Sequence, residues 1–542
     1  MTRWRGNPWA ILLTLSLGFF MTLLDLTIVN IAVPSMVDKL HASLDEVLWV
    51  VNAYVLVLAV LLITAGRLGD LWGKKNLFIA GVALFTLASL ACGLAQDPAQ
   101  LIAARTVQGL GAALLMPQTM SIIIATFPPE RRGAALGVWG AVAGVSTIAG
   151  PTIGGLLVSA LDWRWIFFVN LPVGILVLAM AVPILPGHQR GVKHRFDVLG
   201  VLLATASLFC LVFALTEGEK YDWNGWIWGL MGAAAALLAA FLLQQRAKQD
   251  AEPLVPFGLF RDRNFSVLNF VGAAVSIGMI GMFLPLSFYL QSVLGYSALK
   301  AGLVMAPSSL VSMFLAPVAG KLSDRYGGRF ILMGGLFLYG LGMVWIVAIA
   351  DVGTDWTSFL PAFIVTGIGI GGVFAPMATE ATRNVPPRLA GAASGVNNTI
   401  RQVGSVLGSA VVGAVLQSQL ASALHDQAVE RSAALPPQAR QGFVEGVAES
   451  AKGGLEVGAG QHAQQVPPGT PPALAHQLQE VGAAVFQHAF VDAMKPTMLT
   501  PIIVIFLAAA ACLAVKRYRA ADAGTGTAPA DPSADPSVDA AR

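Results

Sequence analysis

Charge is what this chain has least of. Only 12% of its 542 residues are Asp, Glu, Lys or Arg, against 56% hydrophobic. A soluble domain carries about a quarter charged residues, so composition alone excludes a water-solvated fold. Cysteine is scarce too: Cys92, Cys210 and Cys512 are the three, each in a different apolar stretch. That excludes a disulfide framework and leaves no thiol cluster for a metal, so neither metal nor cofactor is expected. A phosphate loop needs Gly-x-x-x-x-Gly-Lys-Ser/Thr, and the nearest approach, Gly73-Lys74-Lys75, lacks the leading Gly and the hydroxyl. ATP is therefore not the energy source, no enzyme chemistry is indicated, and an ion gradient is left to drive any work. The net charge is +3 and no basic patch is interleaved with aromatics, which excludes nucleic acid as a partner.

What the chain has in abundance is long apolar runs, with a mean hydropathy of +0.70. A helix crosses a hydrocarbon core in roughly 20 residues, and about fourteen such spans can be read, the first at 10–33 and the last at 498–515. The opening Met1-Thr2-Arg3-Trp4-Arg5 resembles a signal peptide. The apolar run, however, continues past Asp25 to Pro34 with no small-residue cleavage pattern, so it is read as an uncleaved first span. About 23 Lys and Arg fall on the side of the termini, against about four opposite them, Lys39, Arg164, Lys220 and Lys300. Positive loops stay cytoplasmic, so both termini are expected there. The 417–495 segment reads as a long extracellular loop with helical flanks and a flexible middle, and 516–542 as a disordered cytoplasmic tail.

One polar phrase occurs twice between apolar runs. Gly66-Arg67-Leu68-Gly69-Asp70-Leu71-Trp72-Gly73-Lys74-Lys75 returns as Gly320-Lys321-Leu322-Ser323-Asp324-Arg325-Tyr326-Gly327-Gly328-Arg329. A repeated charged turn says that two related membrane bundles were joined, and such carriers place substrate where the halves meet. The first copy follows span two and the second follows span ten, so two spans are inserted between six-span halves. The expected organisation is a first bundle at 1–186, two linking helices with cytoplasmic flanks at 187–264, and a second bundle at 265–515.

These motifs resemble the major facilitator superfamily, specifically its fourteen-span drug:proton antiporters. Beyond the repeated loop, Leu24-Asp25-Leu26-Thr27-Ile28-Val29-Asn30-Ile31-Ala32-Val33-Pro34 is similar to the group's first-helix motif, and Arg105-Thr106-Val107-Gln108-Gly109-Leu110-Gly111 to its fourth-helix motif. Gly150-Pro151-Thr152-Ile153-Gly154-Gly155 resembles the fifth-helix antiporter motif, and Trp163-Arg164-Trp165-Ile166-Phe167-Phe168-Val169-Asn170-Leu171-Pro172 the entry into helix six. Leu71 and Ser146 depart from the pattern, standing where the group usually has Arg and often has Gly. The resemblance implies an all-α integral membrane fold of two six-helix bundles plus two inserted helices. It further implies a monomer in the cytoplasmic membrane of a bacterium that exports hydrophobic small molecules, drugs or antibiotics, in exchange for protons. A lipid or cell-envelope carrier on the same fold, or a membrane sensor without transport, is the alternative.

Several residues carry chemistry on their own account. Asp25 reads as the only carboxylate well inside an apolar span, where an acid is costly and therefore a functional candidate, here for carrying a proton. Counting ~1.5 Å per residue from the outer ends puts Asp25 at ~13 Å depth and Arg105 at ~12 Å, so the two can pair. A static ion pair between helices is the competing reading. Gly150, Pro151, Gly154 and Gly155 give a small, kinked helix face for a tight seal or for ordinary packing. Asp70 and Asp324 can sit beside a helix N-terminus, where a carboxylate is favoured. With Gly66, Gly73, Lys74, Lys75, Gly320, Arg325 and Arg329 they are the candidate cytoplasmic gate, or else a solvated topogenic turn. The candidate cavity residues are polar groups inside spans: Asn52, Tyr54, Gln108, Tyr289, Gln291, Asn397, Asn398, Arg401 and Gln402. Interhelical hydrogen bonds are the other use for such groups.

Overall fold

The structure is a computed structural model and describes residues 6–40, 42, 44–187, 197–218, 221, 223–249, 253–386, 389–452 and 472–516. The tail at 517–542 and the centre of the outer segment, 453–471, lie outside the described residues. In the first half, α1 (Pro8–Leu40), α2 (Leu44–Trp72), α3 (Lys74–Leu94), α4 (Pro98–Thr126) and α5 (Pro129–Ala160) are followed by the short α6 (Trp165–Phe168) and α7 (Asn170–Ile184). The inserted pair is α8 (Val198–Glu217) and α9 (Gly225–Ala247). The second half comprises α10 (Gly258–Arg261), α11 (Arg263–Phe288), α12 (Ala298–Tyr326), α13 (Arg329–Ile349), α14 (Leu360–Gly371), α15 (Phe374–Thr382), α16 (Ala390–Arg431), α17 (Pro437–Lys452) and α18 (Pro472–Ala511).

Thirteen helical stretches among the described residues are long and apolar enough to cross a membrane. The fourteenth is α5, 32 residues long and held between α1 and α12. Its glycines explain the position: a Cβ at Gly133 or Gly137 would strike α12, and one at Gly150 or Gly154 would strike α1. Two neighbours can therefore approach opposite ends of one helix at backbone distance, which a bulkier chain would forbid. Two spans are interrupted: α6 and α7 share one, and α14 and α15 are broken at Gly372–Val373.

The described parts of the 417–495 segment, 417–452 and 472–495, are largely helical. Helix α16 runs on to Arg431 as 42 residues, and α18 already begins at Pro472 and has 40. At ~1.5 Å per residue each is ~60 Å long, about twice the hydrocarbon thickness, so both project beyond the membrane. Between them α17 buries Phe443 and Val447 against Ala428 and Val485, an apolar cluster joined to the second-half core through Leu424.

The halves meet along two seams. On one, α5 lies against α12 from Gly133 beside Gly320, through Gly137 beside Ala316, to Gly144 beside Ser309. On the other, α2 lies against α16 from Gly66 beside Gly391 to the cluster of Leu56, Val60 and Val406. The inserted pair leans on this second seam, with Val212 of α8 in the same cluster.

Candidate functional site

Asp25 is fully buried inside the first half, and four helices converge on it. Arg105 of α4 donates through Nη1 to Asp25 Oδ2. Gln108 Nε2, one turn along α4, donates to Oδ1 at 2.9 Å, and Asn170 Nδ2, the first residue of α7, donates to the same oxygen at 3.2 Å. Arg105 is fixed in turn by Nε donating to the Val50 carbonyl at 3.0 Å and by Nη1 donating to Gln108 Oε1 at 2.8 Å. Its guanidinium lies 4.3 Å above the Tyr54 ring, so α2 supplies both a carbonyl and an aromatic face. Gly109 lets α2 come this close, since a Cβ there would meet the Tyr54 backbone. A buried charge is tolerable only when paired and hydrogen-bonded, and this carboxylate has one cation and two amides.

This geometry relocates two expected cavity residues. Tyr54 and Gln108 are fully buried in the Asp25 cluster and line no wall between the halves. Asn170 was not singled out beforehand, although it is the one amide in the apolar run 166–185.

Each copy of the repeated phrase reaches across to the opposite half, on the face that carries the basic loops. Asp70 at the end of α2 accepts from the Gly391 N–H at 3.1 Å and the Ala392 N–H at 2.9 Å, in the first turn of α16. Asp324 at the end of α12 accepts from the Gly133 N–H at 2.8 Å and the Ala134 N–H at 3.0 Å, early in α5. Unsatisfied amides and the positive helix end favour a carboxylate at such positions. Gly73 (φ 94°) and Gly327 (φ 85°) occupy matching left-handed turns after the two carboxylates, where a Cβ would be strained. Lys74 Nζ lies 3.7 Å from Asp70, and Lys75 donates to the Val182 and Leu185 carbonyls at the end of α7. Arg325 and Arg329 lie over their neighbours Tyr326 and Phe330.

In the small-residue motif, Gly150 packs against Thr27 and Gly154 against Ile28, while Gly155 faces open space. Thr27 Oγ1 also donates to the Ser146 carbonyl at 3.3 Å, so the Ser in place of Gly leaves the α1–α5 contact intact.

The remaining polar candidates scatter. Asn52 faces the inserted pair, 3.5 Å from Glu217 of α8. Tyr289 donates to the Asp351 carbonyl at the outer end of the second half, and Gln291 bonds back to Ser287 on its own helix. Asn397 donates to Asn269, and Asn398 to the Ser394 carbonyl. Arg401 and Gln402 are half-buried on α16. Asp25 is also not the only enclosed acid: Glu380, 2% exposed, accepts from the Gly328 N–H at 2.6 Å and from Arg383 at 2.7 Å. It lies in the last turns of its span, where polar residues are common, so nothing in the run of residues around it marks it out.

Residues 15–409 match the family model described as Major Facilitator Superfamily. An uncharacterized MFS-type transporter of Mycobacterium tuberculosis is 44% identical over 420 residues, covering 77% of this chain and 72% of the relative. A tetracenomycin C resistance and export protein of Streptomyces glaucescens is 37% identical over 429 residues, 79% of each chain. Among solved structures, the human organic anion transporter MFSD10 superposes with a TM-score of 0.58 at 11% identity, covering 92% of this chain and 99% of that one, and so shares the fold.

Proposed function

The chain belongs to the major facilitator superfamily and is a multi-pass membrane protein, and from that premise we propose that it exports hydrophobic small molecules from a bacterial cytoplasm in exchange for protons. The observation that carries this reading is the Asp25–Arg105 pair, a carboxylate enclosed at mid-depth and bonded to α4 and α7, with Arg105 in turn held by α2. The export protein for tetracenomycin C among its relatives supports a drug or antibiotic as cargo.

The packing suggests how the proton acts. A proton on Asp25 cancels the charge that holds Arg105, Gln108 and Asn170. Asp25 sits on α1, which is seated on α5 through Gly150 and Gly154, and α5 receives the Asp324 clasp. Arg105 holds Val50 of α2, and α2 carries the Asp70 clasp. Protonation thus reaches both clasps through rigid helices. With the basic face cytoplasmic, the clasped state opens outward: it takes a proton and releases cargo. The unclasped state opens inward, loses the proton and loads. Exchange follows because proton and cargo prefer different states.

Coupling by one carboxylate makes proton release measurable. Adding a transported drug to lightly buffered, detergent-solubilised protein should release close to one proton per bound drug, and Asp25→Asn should bind without release. Equal release from both proteins would place the coupling group elsewhere.

A further inference from the structure

Arg401 is the interior cation that the proton mechanism leaves unused. Among the described residues its guanidinium makes neither an ion pair nor a hydrogen bond, and its Nε is buried with no acceptor. Its guanidinium carbon lies 5.0 Å from the Phe374 ring, and its methylenes pack beside Gly272, which Met377 also approaches. Phe374 is the first residue after the break between α14 and α15, and it reaches Gly140 of α5 in the other half. Arg401 therefore stands where the halves meet, ~15 Å along α16 from the Asp70 clasp.

No acid answers it. Asp25 is sealed inside the first half by its own partners. Among the helices around Arg401, α11 has no carboxylate, and the acids of α5 and α15, Glu130 and Glu380, lie at the basic face. An unpaired intramembrane guanidinium marks a functional site. Its free Nε edge has the geometry that grips a carboxylate or phenolate through parallel N–H donors, while the aromatic wall suits a ring.

We propose that Arg401 and Phe374 form an anion-recognising subsite between the halves, and that the exported molecules are aromatic organic acids. The proposal rests on the exporter reading and narrows its cargo. It also fixes the charge balance. One proton inward and one monoanion outward move two positive charges inward per cycle, so a membrane potential drives the exchange without a pH gradient. A monocation exchanged for one proton would move none.

The test uses the full chain with three probes: 1-hydroxy-2-naphthoate, its neutral methyl ester, and ethidium. Wild type should bind the acid saturably and at least tenfold more tightly than either the ester or ethidium. Arg401→Gln should lose at least tenfold affinity for the acid, while Arg401→Lys, which keeps the charge but not the parallel donors, should fall between Arg401→Gln and wild type. Equal affinity for acid and ester on wild type overturns the proposal, with no variant needed, as does an absence of saturable acid binding. In liposomes, an inside-negative potential on the cargo-containing side should drive acid export at zero pH gradient. Proton-driven ethidium flux without acid binding overturns the subsite and leaves the exporter standing. Acid binding through Arg401 without flux of any probe upholds the subsite and overturns the exporter.

Discussion

Removing the guanidinium of Arg105 would strand the Asp25 carboxylate inside the protein. Breaking one side of a buried pair typically costs about 3–5 kcal/mol, because the other charge is left uncompensated. Arg105→Gln should therefore lower the thermal unfolding temperature sharply, and adding Asp25→Asn should restore most of the loss. A cycle in which the two effects simply add would contradict direct pairing. Depth along the helices was legible before any coordinates, which is why Asp25 and Arg105 could be paired by counting residues. Azimuth was not. Tyr54 and Gln108 share the depth of cavity residues yet point into the bundle, and the chain alone carries no signal for which way a lone polar group turns. Asn170 belongs to the site because, at the start of α7, its amide reaches both Asp25 and Ser89.

At the scale of elements, the seams depend on glycine more than on any side-chain bond. A Cβ at Gly320 would collide with the Gly133 backbone, so Gly320→Val should prise α12 from α5. Spin labels at Arg131 and Lys321, both exposed on the basic face, should then report a longer distance than in the parent protein. An unchanged distribution would show that the seam tolerates the methyl groups. The inserted pair has its own fastening: Asp197 at the start of α8 accepts from Lys248, Gln244 and Gln245 of the α9 end. Burial alone would raise the Asp197 carboxyl, but Lys248, Gln244, the Gly200 N–H and Gln245 hold it down to about 2. Its ordinary value is ~3.9, so this fastening is complete above about pH 4 and is lost as pH falls towards 2. The unfolding temperature of wild type should accordingly drop more than that of Asp197→Asn across that window. Span ends were the least legible feature. The outer part of α16 is polar but made of Ala, Leu and Gln, strong helix formers that hydropathy ignores. The helix continues there because α17 and α18 cover it, which only the tertiary structure reveals.

On the scale of the molecule, the two copies of one phrase act as a pair of crossed clasps, each half holding a helix start of the other. The repeat itself was plain in the sequence, as was the insertion of two spans between the halves. That each copy docks on the opposite half was not, since neither Gly391 nor Gly133 belongs to a recognisable phrase. Losing one clasp should leave the protein folded but poorly sealed. Asp70→Ala or Asp324→Ala is expected to cut transport several-fold while leaving the unfolding temperature within a few degrees. A variant that unfolds outright would make the clasp structural. The central claim is that one carboxylate in the first half couples a proton gradient to movement of cargo between the halves. Its most direct test is drug flux in liposomes under an imposed pH gradient, comparing wild type with Asp25→Asn. Gradient-driven flux in wild type, lost in Asp25→Asn while binding persists, is the result expected. Equal gradient-driven flux in both proteins would contradict it.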